Sequence, residues 1–462
     1  MASQPLSGLR LAVTLPPAHF FSGCDLAIAR DHVFALRQLG AVVYEFDTTH
    51  AYMGSKSELR TQLDDLRSFQ PDAAIGAPHA GYAVQPFVAR RRDQGGDTAL
   101  GHLFLDELDL PTLLYWDHAL LQLPKYLVSP WPGGPGKSRK GVLARLGSLF
   151  RHPRAIHFFP DSGHIPELHA LGIAEFPPDS CYIPGISHQY VEYGESDRDP
   201  SEQGREVAFF GNIYIAAARK ITYADETLLA VRRQAFERLK ADWDCAPYDA
   251  YREEIECLSA AQRSELRLRP DESFYWRFLF DELSVVANGE RRLQVALECG
   301  RPLTYFGGFA DPETRAIVSS AGCTLAEEYL PYGRPLAAAY ERQALSIDVA
   351  NAPYINGFST KLFSCFAAGG FMLTSRKADL AGALGDLAEA ITFSSAEELS
   401  AKASHFLDAD HERRDLTLQI QAVIREKFTA SALYARTVPK ALSALKGREQ
   451  PRASKDAPSQ CP

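Results

Sequence analysis

Residues 345–374 read LSIDVANAPYINGFSTKLFSCFAAGGFMLT. Leu345 to Val349 has the length and apolar content of a buried strand, and Asn351 to Ser359 reads as a loop holding one glycine. Thr360 to Ala368 follows as a helix and Gly370 to Leu373 as the next strand. This strand, loop, helix, strand order is the building block of a parallel sheet. Ser359 or Thr360 can cap the helix, Leu362, Phe363 and Phe366 give it an apolar face, and Gly369 can end it in the left-handed conformation. The loop therefore brings unpaired backbone N–H groups and the positive end of a helix dipole to one place. Lys361 stands beside them, which suits a phosphate or diphosphate. An ordinary crossover helix with a solvated lysine fits the spacing equally well.

Working outward, STKLFSCFAAGGFMLTS and the following ITFSSAEELSAKASHFLDADHERRDL resemble the C-terminal signature of CgeB-like glycosyltransferases. The likeness covers roughly the last hundred or so ordered residues well and the rest in outline. It implies a GT-B architecture, an α/β fold in which two Rossmann-like domains face each other across a cleft, with a nucleotide-sugar bound by the second. Many transferases of this type place a glutamate on the helix for the donor ribose, often with a second acid eight residues earlier. Here those positions hold Ser364 and Asn356, whose hydroxyl and amide can still hydrogen-bond sugar or ribose.

The first half supports the same architecture. Leu9 to Leu15 alternates as a strand, a helix runs from about Cys24 to Leu39 and ends at Gly40, and Ala41 to Phe46 is the second strand. Ligands of such sheets sit at the carboxyl ends of the strands, where His19, Gly23, Asp25 and Asp47 fall. Further strands are expected at Ala73 to Gly76, Thr112 to Trp116, Ala155 to Phe159 and Cys181 to Ile183. Their ends carry His79, Asp117, His118 and Asp161. The text PTLLYWDH and YIPGISHQY resembles the acceptor domain of the same group. Asp25, His79, Asp117 and His118 are the candidates for deprotonating an acceptor hydroxyl, an imidazole needing support from a carboxylate such as Asp25 or Asp117. No G-x-G-x-x-G follows the first strand, so a dinucleotide cofactor has no motif to bind it.

The expected domains are an acceptor domain over 1–195, a polar linker over 196–206 and a nucleotide-sugar domain over 207–430 with a helical insert at about 216–300. A helix at 431–446 is free to fold back on the first domain, and a disordered polar tail spans 447–462. The second domain opens with VAFFGNIY, where Gly211 and Asn212 end a strand and let a ligand approach the backbone; the resemblance implies that this turn faces the donor phosphates. With Asn356, Gly357, Phe358, Ser359, Thr360, Lys361 and Ser364 they form the expected donor-binding set. Residues 125–154 shift to Pro and Gly and then to basic residues among leucines. The GGPGKS within them lacks the first glycine of a phosphate-binding P-loop, Trp131 standing there, and reads as a basic surface loop that can touch an anionic acceptor or a membrane surface.

Composition sets the limits. The 462 residues are 46% hydrophobic, enough for two sizeable cores, and the formal charge of −9 argues against bulk nucleic-acid binding. No membrane-length apolar run and no signal-peptide core is present, so a cytoplasmic protein is expected, with peripheral contact at the inner membrane face open through 125–154. Eight cysteines without a C-x-x-C pair read as reduced thiols. Asp408-Ala409-Asp410, a D-x-D sequence of the kind that holds a divalent ion, lies near a helix end and reads as a polar turn, so no metal and no cofactor is expected beyond the nucleotide-sugar co-substrate. The expected activity is transfer of a hexosyl-like group to a saccharide, lipid-linked or protein acceptor. A nucleotide-sugar epimerase of the same architecture and a catalytically silent sugar-nucleotide-binding protein are the alternatives.

Overall fold

The structure is a computed structural model. It describes residues 4–16, 24–49, 56–76, 88–92, 98–102, 104–105, 108–116, 147, 149–195, 206–213, 215–307, 312–326 and 330–449.

Two parallel sheets form the frame. The first orders its strands β2-β1-β3-β6-β7, with β1 Arg10–Leu15, β2 Val42–Asp47, β3 Ala73–Gly76, β6 Thr112–Tyr115 and β7 Ala155–Phe158. An antiparallel pair, β4 Val88–Arg92 and β5 Thr98–His102, stands apart from it. The second sheet runs β10-β9-β8-β11-β12-β13, from β8 Val207–Phe210, β9 Leu303–Phe306, β10 Thr324–Leu325, β11 Leu345–Asp348, β12 Met372–Ser375 and β13 Thr392–Phe393. In the opening unit β11 pairs in parallel with β12, Asp348 lying beside Thr374, and with β8 on its other side.

Alternation along the strands decides what covers each face. On the first sheet Leu11, Val13, Leu113 and Tyr115 point to a core that includes Leu433, Tyr434 and Val438 of the last helix, Ala430–Glu449. That helix carries Pro439 in its interior, and it packs on the first sheet although the chain enters it from the second lobe. Ala12, Leu114 and Trp116 point the other way, into a core shared with Leu228, Tyr251, Phe278 and Leu283. These last residues come from the helical stretch between β8 and β9. In chain order it is an insert of the second lobe, yet its apolar faces are buried with the first.

Some local expectations differ from the structure. Cys181 to Ile183 forms no strand; only a bridge between Phe159 and Cys181 is present, and Pro178–Ser180 just before it is a short 3-10 turn. The helix Asp410–Val423 is continued by a π-helical turn, Ile424–Phe428. Ser395 caps the helix Ala396–Asp408 by accepting from the Glu398 amide at 3.1 Å, and the Glu398 carboxylate accepts from the amide and hydroxyl of Ser394, both at 2.8 Å. Of the tail expected to be disordered from 447, residues 447–449 instead continue the last helix, Ala430–Glu449; 450–462 and the segment 125–146, including GGPGKS, lie outside the described residues.

Candidate functional site

The strand β8 ends at Gly211, whose φ of +150° is a backbone conformation that side chains rarely adopt. A Cβ there would stand 3.2 Å from Lys361 Nζ, so the absent side chain lets that ammonium come close to the strand end, with Arg292 Nη1 farther off at 3.9 Å. Lys361 lies in the first turn of the helix Thr360–Ala367, which Ser359 caps by accepting from the Lys361 amide. Its Nζ donates to the Phe210 carbonyl at 2.8 Å and pairs with Asp348 Oδ1 at 2.5 Å. Burial among the strand ends lowers the Lys361 pKa, the Asp348 carboxylate pulls it back up, and the Arg292 guanidinium pushes it down again.

Arg292 is almost fully buried in the helix Asn288–Glu298. It donates to the Asn212 carbonyl at 2.8 Å and to Asn351 Oδ1 at 2.5 Å. Asn288 supports the same corner by accepting from the Ala352 amide at 3.3 Å. The guanidinium thereby ties the end of β8 to the loop after β11.

Gly211, Thr360, Lys361 and Ser364 line one cavity of about 270 Å³. Its remaining wall is largely apolar and aromatic, with Phe210, Phe306, Tyr190, Tyr332 and Tyr340. Phe210 and Phe306 stack at 4.7 Å, and Tyr340 meets Phe210 edge-on at the same separation. Ile28, from the helix Cys24–Gln38 of the first lobe, completes the lining, so the cavity lies between the two lobes. A charged end beside an aromatic end matches the two chemistries of a nucleotide, an anion and a flat ring.

The loop before Lys361 divides into two parts. The Ile355 and Asn356 amides donate to Asp161 of the first lobe at 2.6 and 3.0 Å, and the Asn356 side chain donates to Ser162 Oγ at 3.0 Å. Gly357 is pressed against this clamp, since a Cβ would stand 2.7 Å from the Pro160 carbonyl. Asn356 and Gly357 are thus held by the first lobe and do not line the cavity. Phe358 is buried in the second core. The N-terminal turn at Ser359 and Thr360 is the part of the loop that reaches the cavity.

In the first lobe, Asp25 lies in the first turn of Cys24–Gln38, three residues ahead of Ile28. His79, Asp117, His118, His19 and Gly23 lie outside the described residues. Asp47 closes a local turn, accepting from the Thr49 amide at 2.8 Å. Asp161 is the buried clamp, and Asp410 of the D-x-D sequence pairs with Arg413 and Arg414. No grouping of three His, Cys, Asp or Glu able to hold a metal occurs among the described residues.

Arg292, Asp348 and the aromatic wall were not singled out in the sequence. Arg292 had a readable signal, because the buried Val295 and Ala296 follow it by three and four residues and place it on the inward face. Asp348 is a carboxylate at a strand end, the same position that marked Asp25 and Asp161.

Residues 314–438 match a family model described as glycosyl transferase-like. A search of the curated proteins finds no match. Among solved structures, an alpha-glucosyltransferase in complex with UDP and a 13-mer DNA containing an HMU base aligns over 94% of this chain and 99% of its own, with a TM-score of 0.50 and 7% identity. Anabaena Alr3699/HepE in complex with UDP and glucose aligns over 94% and 100% at a TM-score of 0.48 and 8% identity. T4 phage BGT in complex with UDP and Mn2+ aligns over 94% and 99% at 0.46 and 10%. With its two parallel sheets and their helices, the chain has the two-domain GT-B architecture.

Proposed function

We propose that the chain is a metal-independent glycosyltransferase, of the CgeB-like group, that takes a nucleoside-diphosphate sugar in the cavity between its lobes. The observation that carries this reading is the convergence of Gly211, Lys361 and the capped turn at Thr360 on one cavity with aromatic walls. The diphosphate lies against Lys361 and the helix N-terminus, and the ring of the base against the aromatic end; Arg292 adds positive potential behind Gly211. Ser364 meets the ribose or sugar.

In the reaction the bond from the anomeric carbon to the diphosphate oxygen breaks with its electron pair going to the diphosphate. The acceptor oxygen forms the new bond and gives its proton to a base of the first lobe. Asp25, His79, Asp117 and His118 are the candidates for that base. Lys361 and Arg292 supply positive charge where the leaving group gains negative charge, the task a divalent ion performs in other transferases. The acceptor is a saccharide, a lipid-linked saccharide or a protein, reached from the cytoplasm or the inner membrane face. The working division is an acceptor domain 1–195, a linker 196–206 and a donor domain 207–430, with 431–446 returning to the first.

Incubation with a panel of nucleotide sugars, beginning with those of uridine, tests the reading. Free nucleoside diphosphate formed in proportion to an added acceptor, together with a glycosylated product, is the expected result. Sugar isomerisation or diphosphate release with no acceptor identifies an epimerase, and binding without turnover a silent binding protein.

A further inference from the structure

We propose that Asp348 is a positioning residue whose carboxylate, seated at the carboxyl end of β11, holds the Lys361 ammonium against the cavity beside Gly211. Asp348 is fully buried, and a carboxylate in that position needs a cation to face. Lys361 Nζ lies 2.5 Å from its Oδ1, and the other fixed contact of the ammonium is the Phe210 carbonyl at 2.8 Å. With two directions taken by protein oxygens and 28% of the Lys361 side chain exposed, the third N–H direction remains for a ligand. Ser346 and Thr374, which share the face of the sheet with Asp348, carry no charge, and among the described residues Lys361 is the cation paired with the carboxylate.

The charged and titratable groups around Lys361 are few. Arg292 faces it from the helix Asn288–Glu298 and Asp348 from β11, while Cys365 lies one turn on in its own helix and Tyr190, Tyr332 and Tyr340 form the opposite cavity wall. Burial and Arg292 both favour the neutral amine, and Asp348 alone opposes them. Without it the lysine would lose charge and placement together.

This inference rests on the transferase reading only for what the cavity binds. The lysine can be followed directly by NMR of 13Cε-labelled lysine in the ligand-free full chain, with Lys361→Arg identifying its signal. In Asp348→Asn the Lys361 titration is expected to move down by about one pH unit or more, as loss of an adjacent opposite charge requires. An unmoved titration overturns the inference. If that variant does not fold, the Asp348 carboxyl resonance of the wild type serves instead: it must shift in step with Lys361, and independence of the two overturns the proposal.

Binding of uridine diphosphate supplies the second arm. Asp348→Asn should lose affinity more steeply than wild type as pH rises above neutrality, and Asp348→Asn with Lys361→Arg should flatten that dependence because guanidinium stays charged. A double variant that keeps the steep loss contradicts the positioning role. Coupled titration in a wild-type protein that binds none of the uridine, guanosine, thymidine and cytidine diphosphates supports the Asp348 assignment and retires the transferase reading.

Discussion

Lys361 carries more of the account than any other residue, and its neighbours show why a single atom there matters. Lys361→Ala removes the cation from the cavity and leaves Asp348 buried without a counter-charge, so turnover should fall by roughly 2–4 kcal/mol of barrier, read as kcat in a donor-release assay. Gly211→Ala places a Cβ 3.2 Å from Lys361 Nζ at a φ of +150°, and weaker nucleotide binding is expected, checked by calorimetric titration. Lys361 and Gly211 could be found in the sequence because each stands at the edge of a strand or helix with a clear hydrophobic pattern. Asn356 could not be placed that way. Its side-chain partner, Ser162, is 194 residues distant, and no local pattern encodes a contact between lobes.

A second residue-scale expectation concerns pH. The Glu398 carboxyl is partly desolvated, which alone would raise its pKa, but Lys402 and the Ser394 hydroxyl and amide hold it down at about 2, below the ordinary value of 4.5. The stabilisation is present above pH 4.5 and lost as pH falls toward 2. Glu398→Gln should therefore lower stability by about 1–2 kcal/mol near neutrality, and the gap to wild type should close in acid, as chemical denaturation at stepped pH would show.

At the scale of elements, the loop between β11 and its capped helix depends on the segment Pro160 to Gly163. Asp161 accepts from two successive loop amides, Ser162 donates to Asp379 through its amide at 2.9 Å and its hydroxyl at 2.5 Å, and Lys377 donates to the Tyr354 and Ile355 carbonyls at 3.2 and 3.0 Å. Asp161→Asn keeps the shape but can accept at only one of its two side-chain positions, leaving a buried amide without a partner. A stability loss of about 1–3 kcal/mol is expected, with faster hydrogen exchange at Ile355 and Asn356 and little change at Phe209 in β8. Unchanged exchange at those two amides would show that the clamp does not hold the loop. The individual elements were readable because their apolar periods are strong. The clamp was not, since it follows from how two lobes meet.

For the whole molecule, the last helix and the helical insert both cross from their place in the chain to pack on the first sheet. Tyr434 meets His32 Nδ1 at 2.7 Å, Thr437 meets the Tyr115 hydroxyl at 2.6 Å, and the Tyr248 hydroxyl donates to Glu167. Ending the chain after Thr429 would uncover Leu11, Val13 and Tyr115, and such a protein should unfold in a broader transition at lower temperature than the full chain. The two parallel sheets were legible from the order of strands and helices. The covering of their faces was not, because an amphipathic helix records that it has an apolar face but not which sheet that face meets.

In the proposed function, Lys361 and the capped turn form the anion-binding end of a nucleotide cavity between the lobes. The most direct measurement of that role is a calorimetric titration of uridine, guanosine, thymidine and cytidine diphosphates into the wild-type chain and the Lys361→Ala variant at one ionic strength. The wild type is expected to bind at least one diphosphate saturably and the variant at least tenfold more weakly, about 1.4 kcal/mol or more. Equal affinity in the two proteins, or no binding of any of the four by the wild type, would contradict it.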